Sequence, residues 1–208
     1  EGVQALVGSL GGSVHGVYRF GGIVSADVPA NALTALALDS RVLSVWPERE
    51  FHASLDSSVN AMNAPALWST GFTGNGIRVA VVDSGIDSNH SMLAGKVLSA
   101  VSFTGEPVGD FLGHGTHVAG IVAGKKNGPS DFNGVAPEAR LLDVKVLNAQ
   151  GIGLESNIVA GINYAVDPDG NPGTQDGAHI INLSLGGPYT SPNSPVVMAV
   201  ESAIAQGV

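Results

Sequence analysis

Strands and helices alternate from residue 77 to the last residue of this chain, and this alternation constrains its fold more than any other feature. The run Ile77–Val82 is almost continuously apolar, which is typical of a strand that is covered on both faces. The pattern then predicts helix 114–124, strand 139–147, helix 154–166, strand 180–185 and helix 195–205. Strands that are separated by helices pair in parallel through right-handed crossovers. The sequence therefore predicts an α/β fold with a parallel sheet.

Composition excludes several classes of protein. The 208 residues include 9 Lys and Arg against 18 Asp and Glu, a net charge of −9, which argues against nucleic acid or an anionic membrane as the main partner. Apolar residues make up 44% of the chain, enough for a sizeable core. Cysteine is absent, so disulfides and thiolate metal sites are excluded. No apolar run approaches the roughly 20 residues of a membrane span.

The first 52 residues differ from the rest and are predicted to form a small α+β unit. Glycine pairs separate its short apolar segments, as expected for tight turns. The predicted elements are helix Val3–Leu10, strands Val14–Phe20 and Ile23–Val28, a helix that ends near Leu38, and strand Arg41–Trp46. A unit of this size buries too little surface to be robust alone. We therefore expect it to pack against a larger domain formed by residues 53–208.

Asp83 directly follows the predicted strand at residues 77–82 and precedes Ser84-Gly85. Open parallel sheets bind their ligands beyond the carboxyl ends of the strands, which is where this carboxylate lies. A turn-forming aspartate before a glycine is the alternative interpretation. The position alone does not separate the two.

His114 lies between two glycines at the predicted start of a helix, in the segment Gly113-His-Gly-Thr-His-Val-Ala-Gly120. Little crowding leaves its ring open to a substrate, and a nearby carboxylate would fix the imidazole as a general base. A hydrogen-bonded structural histidine is one alternative. A metal-dependent hydrolase is another, with His114, His117 and Asp83 as the three ligands.

Three motifs together resemble the subtilisin-like serine proteases in order, spacing and context. They are Val-Val-Asp83-Ser-Gly-Ile-Asp, His114-Gly-Thr-His-Val-Ala-Gly and Ile-Asn182-Leu-Ser184-Leu-Gly186-Gly-Pro, supported by Gly134-Val-Ala-Pro137 and Lys145-Val-Leu. The resemblance covers roughly residues 58–208. It implies a three-layer parallel sheet of the subtilisin type, present here in part.

The resemblance also implies roles for individual residues. His114 is the expected general base for a serine nucleophile, and Asp83 orients the imidazole and stabilises its charged form; these roles are those already worked out for subtilisin. Two extended segments are expected to bind a peptide substrate as an added strand, through Gly151 and Gly153 on one side and Ser184, Leu185 and Gly186 on the other. Ordinary loop turns are the alternative interpretation of these glycines.

The unit at residues 1–52 resembles, less specifically, the ferredoxin-like propeptide of the same family, with its usual first strand missing. In that family the propeptide assists folding and sends its C-terminal tail into the substrate cleft. The corresponding tail here is expected to run from Pro47 to about Asp56. The likeness implies a zymogen whose own propeptide is a partner of the cleft, and secretion to the extracellular space. A stand-alone binding module is the competing interpretation.

The nucleophile of the family lies in a Gly-Thr-Ser-Met-Ala motif, and this sequence contains no Gly-Thr-Ser. The family's oxyanion-hole asparagine has no counterpart here either. We therefore expect these residues to be part of a serine endopeptidase precursor and to be inactive alone. A pseudoprotease or propeptide-like binding module is the alternative. Side-chain specificity and oligomeric state are not predicted.

Calcium is the one cofactor that the sequence suggests. Met92 stands where many members of the family have an acidic calcium ligand, which argues against the usual site. An apparent insertion instead carries oxygen ligands around a glycine, at Asp167, Asp169, Asn171 and Asp176. Such ligands suit a hard cation such as calcium, and some relatives have a calcium loop at this place. A solvated acidic turn is the alternative.

Overall fold

The computed structural model describes residues 2–53, 64–128, 133–187 and 191–208. Its helices are α1 (Gly2–Ser9), α2 (Leu33–Leu38), α3 (Ala64–Trp68), α4 (His114–Ala123), α5 (Glu155–Val166) and α6 (Pro195–Ala205). Its strands are β1 (Ser13–Tyr18), β2 (Ile23–Asp27), β3 (Glu50–Ala53), β4 (Arg78–Asp83), β5 (Val97–Ser102), β6 (Arg140–Lys145), β7 (Ile152–Leu154), β8 (Ile180–Asn182) and β9 (Leu185–Gly186). None of the described helices is long and apolar enough to cross a membrane.

A four-stranded parallel sheet with the order β5-β6-β4-β8 forms the centre of the molecule. β4 lies between β6 and β8, with Asp83 opposite Lys145 and Val81 opposite Asn182. The predicted α/β fold is therefore confirmed. The expected single strand at 180–185 is two short strands, β8 and β9, which belong to different sheets.

Two apolar cores cover the two faces of this sheet. Alternate residues of β4 point to opposite faces, because successive side chains of a strand do so. Ala80 and Val82 pack with α5 and α6, whereas Val79 and Val81 pack with α4. All four residues are buried, which explains why the strand is apolar without interruption. This gives three layers, helix, sheet and helix.

The N-terminal unit is a β1–β2 antiparallel hairpin with two short helices, and it packs on the α5–α6 side of the molecule. Tyr18 and Ile23 contact the core on that face. The backbone N–H of Phe20 donates to Oδ1 of Asn163 at 3.0 Å. The unit thus completes its small core with surface from the larger domain.

The predicted strand at 41–46 is wrong. The carboxylate of Asp39 accepts hydrogen bonds from the backbone N–H of Arg41 at 2.9 Å and from its Nε at 2.8 Å, which closes a local turn. Leu43 is 86% exposed, so the apolar alternation of this segment has no surface to pack on. Side-chain bonding to the nearby backbone has replaced strand pairing here.

Part of the predicted tail, Glu50–Ala53, forms a strand. β3 lies between β7 and β9 and pairs antiparallel with both. The end of that tail lies within residues 54–63, which are outside the described residues. β5 and α3 were not predicted.

Candidate active site

The side chains of Asp83 and His114 meet at the carboxyl edge of the parallel sheet. Asp83 is the last residue of β4, and His114 is the first residue of α4. Nδ1 of His114 lies 2.6 Å from Oδ1 of Asp83, and because an ionised carboxylate can only accept, this contact requires the proton on Nδ1. The Asp83 side chain is fully buried and that of His114 is 9% exposed. The two residues are 31 positions apart in sequence, and the fold brings them into direct contact.

Glycines allow the start of α4 to lie directly on the turn that follows β4. Gly113, which precedes the helix, has a φ of 93°, a left-handed conformation that favours glycine. A Cβ on Gly115 would lie 2.1 Å from the carbonyl oxygen of Gly85, so no larger residue fits there. This close approach sets the separation between His114 and Asp83.

The carboxylate of Asp110 joins the two segments that carry these residues. Its Oδ1 accepts from Oγ of Ser84 at 2.9 Å and from the backbone N–H of Gly113 at 2.8 Å. Its Oδ2 accepts from the backbone N–H of Thr116 at 2.9 Å and from its hydroxyl at 2.6 Å. Burial alone would raise the pKa of Asp110, but these hydrogen bonds outweigh burial and the pKa lies below its usual value.

Burial raises the pKa of Asp83, while hydrogen bonds from His114 and from the backbone N–H of Ser84 favour the ionised form and act against that rise. Its Oδ2 and the Nε2 of His114 are buried and have no hydrogen-bond partner among the described residues. Because Nδ1 carries the proton that faces Asp83, Nε2 is the nitrogen with a free lone pair. The pair can therefore accept a proton at Nε2.

A buried lysine and a second buried carboxyl lie on β6 beside this pair. Lys145 is fully buried; its Nζ donates to the carbonyl oxygen of Ser84 at 2.7 Å and lies 3.2 Å from the carboxylate of Glu106. Asp143 is 2% exposed, and burial raises its pKa to about 7. A hydrogen bond from the Ile86 backbone and the charge of Lys145 oppose that rise. Its Oδ1 has no partner within the described ranges.

The two predicted substrate-binding segments flank β3. Phe51 is opposite Gly153, His52 is opposite both Ile152 and Gly186, and Ala53 is opposite Leu185. The groove between β7 and β9, which we call the cleft, thus holds an extended segment of the chain itself. The pairing lies within the predicted tail, Pro47 to about Asp56.

The three glycines of the cleft differ in backbone conformation and in how closely other atoms approach them. Gly151 adopts a φ of 76° in the turn before β7. A Cβ on Gly153 would lie 2.2 Å from the carbonyl oxygen of Val146, so the close approach there is to the chain's own backbone. A Cβ on Gly186 would meet nothing within 4 Å. Oγ of Ser184, next to β9, accepts from Nδ2 of Asn182 at 2.9 Å.

Three of the four predicted calcium ligands form one cluster. Asp167, Asp169 and Asp176 each have a carboxylate oxygen within 4.8 Å of the others. Oδ1 of Asn171, the fourth predicted ligand, accepts from the backbone N–H of Gly173 at 3.1 Å. Oδ1 of Asp169 also accepts a local hydrogen bond, from the backbone N–H of Asn171 at 2.8 Å.

The alternative metal site on His114, His117 and Asp83 gains no support. His117 is exposed on α4. Within the part of the chain that the structure describes, the acidic cluster at residues 167–176 is the only group with metal-ligand geometry.

Sequence reasoning assigned no role to Asp110, Asp143 or Lys145, although Lys145 belongs to one of the motifs that carry the resemblance. A usable signal existed for the last two, because charged residues that alternate within the apolar run 139–147 must be buried or face a site. Asp110 had a weaker signal, a carboxylate shortly before a predicted helix start.

Comparison with known proteins agrees with this geometry. The sequence model of the subtilase family matches residues 74–208. Subtilisin E of Bacillus subtilis (strain 168) is 35% identical over 209 residues, which cover 98% of this chain and 51% of the relative. An alkaline protease of Shouchella clausii is 37% identical over 191 residues, 89% of this chain and 47% of the relative. The minor extracellular protease Vpr of Bacillus subtilis (strain 168) is 33% identical over 214 residues, 88% of this chain and 25% of the relative.

The chain spans about half the length of the first of these relatives and a quarter of Vpr. The family match covers the sheet, the Asp83–His114 pair and both walls of the cleft. This chain belongs to the subtilase family.

Proposed function

We propose that this chain is part of a serine endopeptidase that cleaves peptide bonds through an acyl-enzyme, with Asp83 and His114 as two members of its catalytic triad. The observation that carries the proposal is the 2.6 Å contact between Nδ1 of His114 and Oδ1 of Asp83, with Nε2 of the same ring free. The serine nucleophile has to come from residues outside these 208, because the sequence contains no Gly-Thr-Ser motif.

In the first half of the reaction, Nε2 of His114 removes the proton of the serine hydroxyl as that oxygen attacks the carbonyl carbon of the peptide bond. Asp83 keeps the proton on Nδ1 and stabilises the imidazolium that forms. His114 then gives its proton to the leaving amine as the peptide C–N bond breaks. Water repeats the sequence on the acyl-enzyme and releases the acid. These roles are inherited from subtilisin, for which they were established.

The substrate is proposed to bind as β3 does, as an extended strand between β7 and β9. Backbone hydrogen bonds from both walls would hold any peptide in that conformation. Gly151 and Gly153 on one wall, and Ser184, Leu185 and Gly186 on the other, are the residues proposed to line its path.

Residues 1–52 are proposed to be an inhibitory propeptide, which makes the whole protein a zymogen. The support is the position of β3, which fills the cleft that a substrate would need. The hairpin that precedes β3 anchors it on α5 and α6. The name of Vpr describes an extracellular protease, and we propose the same location for this protein.

The test compares two forms of the protein, the complete polypeptide and residues 1–208. We expect the complete protein to hydrolyse a fluorogenic peptide and to lose that activity on treatment with a serine-directed organophosphonate. We expect residues 1–208 to hydrolyse nothing and to stay unlabelled. Hydrolysis that resists the phosphonate but is abolished by a chelator would favour the metal-dependent alternative. A complete protein without activity would favour a binding module.

Calcium is proposed as a structural cofactor of the loop at residues 167–176, held by Asp167, Asp169 and Asp176. The side chain of Asp167 is 6% exposed and its Oδ1 has no hydrogen-bond partner among the described residues, which leaves this oxygen able to bind a cation. Its Oδ2 pairs with Nη2 of Arg19 from the N-terminal unit. A bound ion would neutralise the three carboxylates and fix the loop; it has no part in the chemistry.

We expect millimolar calcium to stabilise residues 1–208, because an ion that binds only the folded state adds about 2.7 kcal/mol at 100 times its Kd. Isothermal titration and thermal unfolding with and without calcium measure this. Asp169→Ala should abolish the heat and the stabilisation, and Asp27→Ala, an exposed acid on β2, should retain both. Equal responses from the two variants would remove the site.

A further inference from the structure

The segment that enters the cleft is fixed one residue before β3. The carbonyl oxygen of Arg49 accepts a hydrogen bond from the backbone N–H of Glu155, the first residue of α5, at 2.8 Å. This bond continues the ladder beyond the last paired residues, Glu50 and Leu154. A peptide that occupied the cleft as β3 does would therefore place one residue at a defined position, the position of Arg49.

The side chain at that position meets a buried carboxylate. Nε of Arg49 donates to Oε2 of Glu155 at 3.1 Å, and Nη2 donates to Oε1 at 2.9 Å. The side chains are 15% and 3% exposed. Two parallel bonds of this kind match the planar fork of a guanidinium, which the point charge of a lysine cannot reproduce.

Burial gives this contact consequences that an exposed ion pair would lack. If the partner is removed while the backbone of the bound strand still covers Glu155, a charge is left buried without compensation, and this is strongly unfavourable. The start of α5 lowers that penalty only in part, since a helix N-terminus favours a negative charge by a modest amount. A site that is built to bond one group discriminates strongly against ligands that lack it.

A purely intramolecular explanation is also available. The Arg49 guanidinium lies 5.8 Å from the centroid of the Trp46 ring, so its own segment helps to hold it. That contact contributes to the orientation of Arg49. It does not account for Glu155, which belongs to the wall of the cleft and would face any peptide bound there.

We propose that Glu155 is a specificity-determining residue, which selects extended peptides that carry arginine at the position occupied by Arg49, one residue before the segment paired with β7 and β9. The inference rests on the proposed function, because it treats β3 as the guide to substrate binding. It narrows the substrate class to polypeptides with a basic residue upstream of the paired segment. Arginine is preferred to lysine, both are preferred to alanine, and glutamate is the least favoured.

The test measures kcat/KM of the complete protease on four peptides. Each carries the sequence of residues 50–54 after one test position, which is Arg, Lys, Ala or Glu. We expect the arginine peptide to exceed the alanine peptide by about 10- to 100-fold, the range for hydrogen bonds to a charged partner. Glu155→Gln should bring this ratio close to one, and Glu155→Arg should make glutamate the preferred residue.

The ratio between two peptides on the same variant cancels any loss of folded enzyme. Glu201→Gln, which removes an equal charge from an exposed position on α6, should keep the wild-type ratio. Equal kcat/KM on all four peptides would overturn this inference and leave the protease itself standing. Arginine preference that persists in Glu155→Gln would also overturn it. Failure of the wild type to cleave any peptide would overturn the proposed function and this inference with it.

Discussion

Replacement of His114 by alanine is expected to abolish peptide hydrolysis by the complete protease, with a loss in kcat on the order of 10⁶-fold. The magnitude is that known for the same change in subtilisin, a member of the same family. The physical reason is the loss of Nε2 as the proton acceptor, without which the serine hydroxyl stays protonated and is a weak nucleophile. Steady-state hydrolysis of a fluorogenic peptide measures the effect.

Asp83→Asn should lower kcat by a smaller factor, on the order of 10⁴-fold, again by analogy with the subtilisin triad. The imidazole remains in this variant, but its tautomer and charge are no longer supported. His117→Ala is the matched control, since this exposed histidine lies on the same helix and should leave kcat within about twofold. A loss from His117→Ala as large as that from His114→Ala would contradict the assignment and revive a metal site.

Asp143→Asn is expected to stabilise residues 1–208 above neutral pH, by about 2–4 kcal/mol. Burial raises the pKa of the Asp143 carboxyl from 3.8 to about 7, with the negative charges of Asp110 and Asp83 acting in the same direction. The folded state therefore holds a proton that the unfolded state has released, and a shift of this size corresponds to about 4 kcal/mol. Asparagine keeps a carbonyl oxygen as acceptor for the backbone N–H of Ile86 and carries no charge at any pH.

The sign of this effect follows from the raised pKa. The contribution of Asp143 to stability is fully present below about pH 4 and is lost as the pH rises through about 7. Urea unfolding at about pH 3.5 and pH 8 should thus show nearly equal free energies for wild type and variant at the lower pH, and a gap at the higher one. Asp27→Asn, at an exposed carboxyl, should open no such gap. A constant difference between Asp143→Asn and wild type at both values would show that Asp143 does not titrate in this range.

Elements with a strong local signal were predicted from the sequence. Residues 79–82 of β4 are continuously apolar because both faces of the strand are covered, and the bounds of α6 follow from the proline at its start and its apolar spacing. Asp83 and His114 lie at a strand end and a helix start as the sequence indicated, and their catalytic roles stay a prediction. The fold brings them together because the start of α4 lies directly on the turn that follows β4.

Features that depend on contacts between distant segments could not be predicted from local sequence patterns. The segment 41–46 alternates like a strand, but none of the described strands pairs with it, and Asp39 turns the chain instead. Glu155 appears in sequence as an ordinary acidic residue at a helix start, and its burial depends on Arg49, 106 positions away. The role of Asp110 is of the same kind, because its partners come from two different segments.

The central claim, that His114 is held by Asp83 with Nε2 ready to accept a proton, is tested most directly by the position of the proton on the imidazole. A long-range ¹H–¹⁵N correlation spectrum of ¹⁵N-labelled residues 1–208 at alkaline pH reports which ring nitrogen is protonated. The geometry predicts a proton on Nδ1 and a bare Nε2 for His114. A neutral ring with its proton on Nε2 would contradict the account.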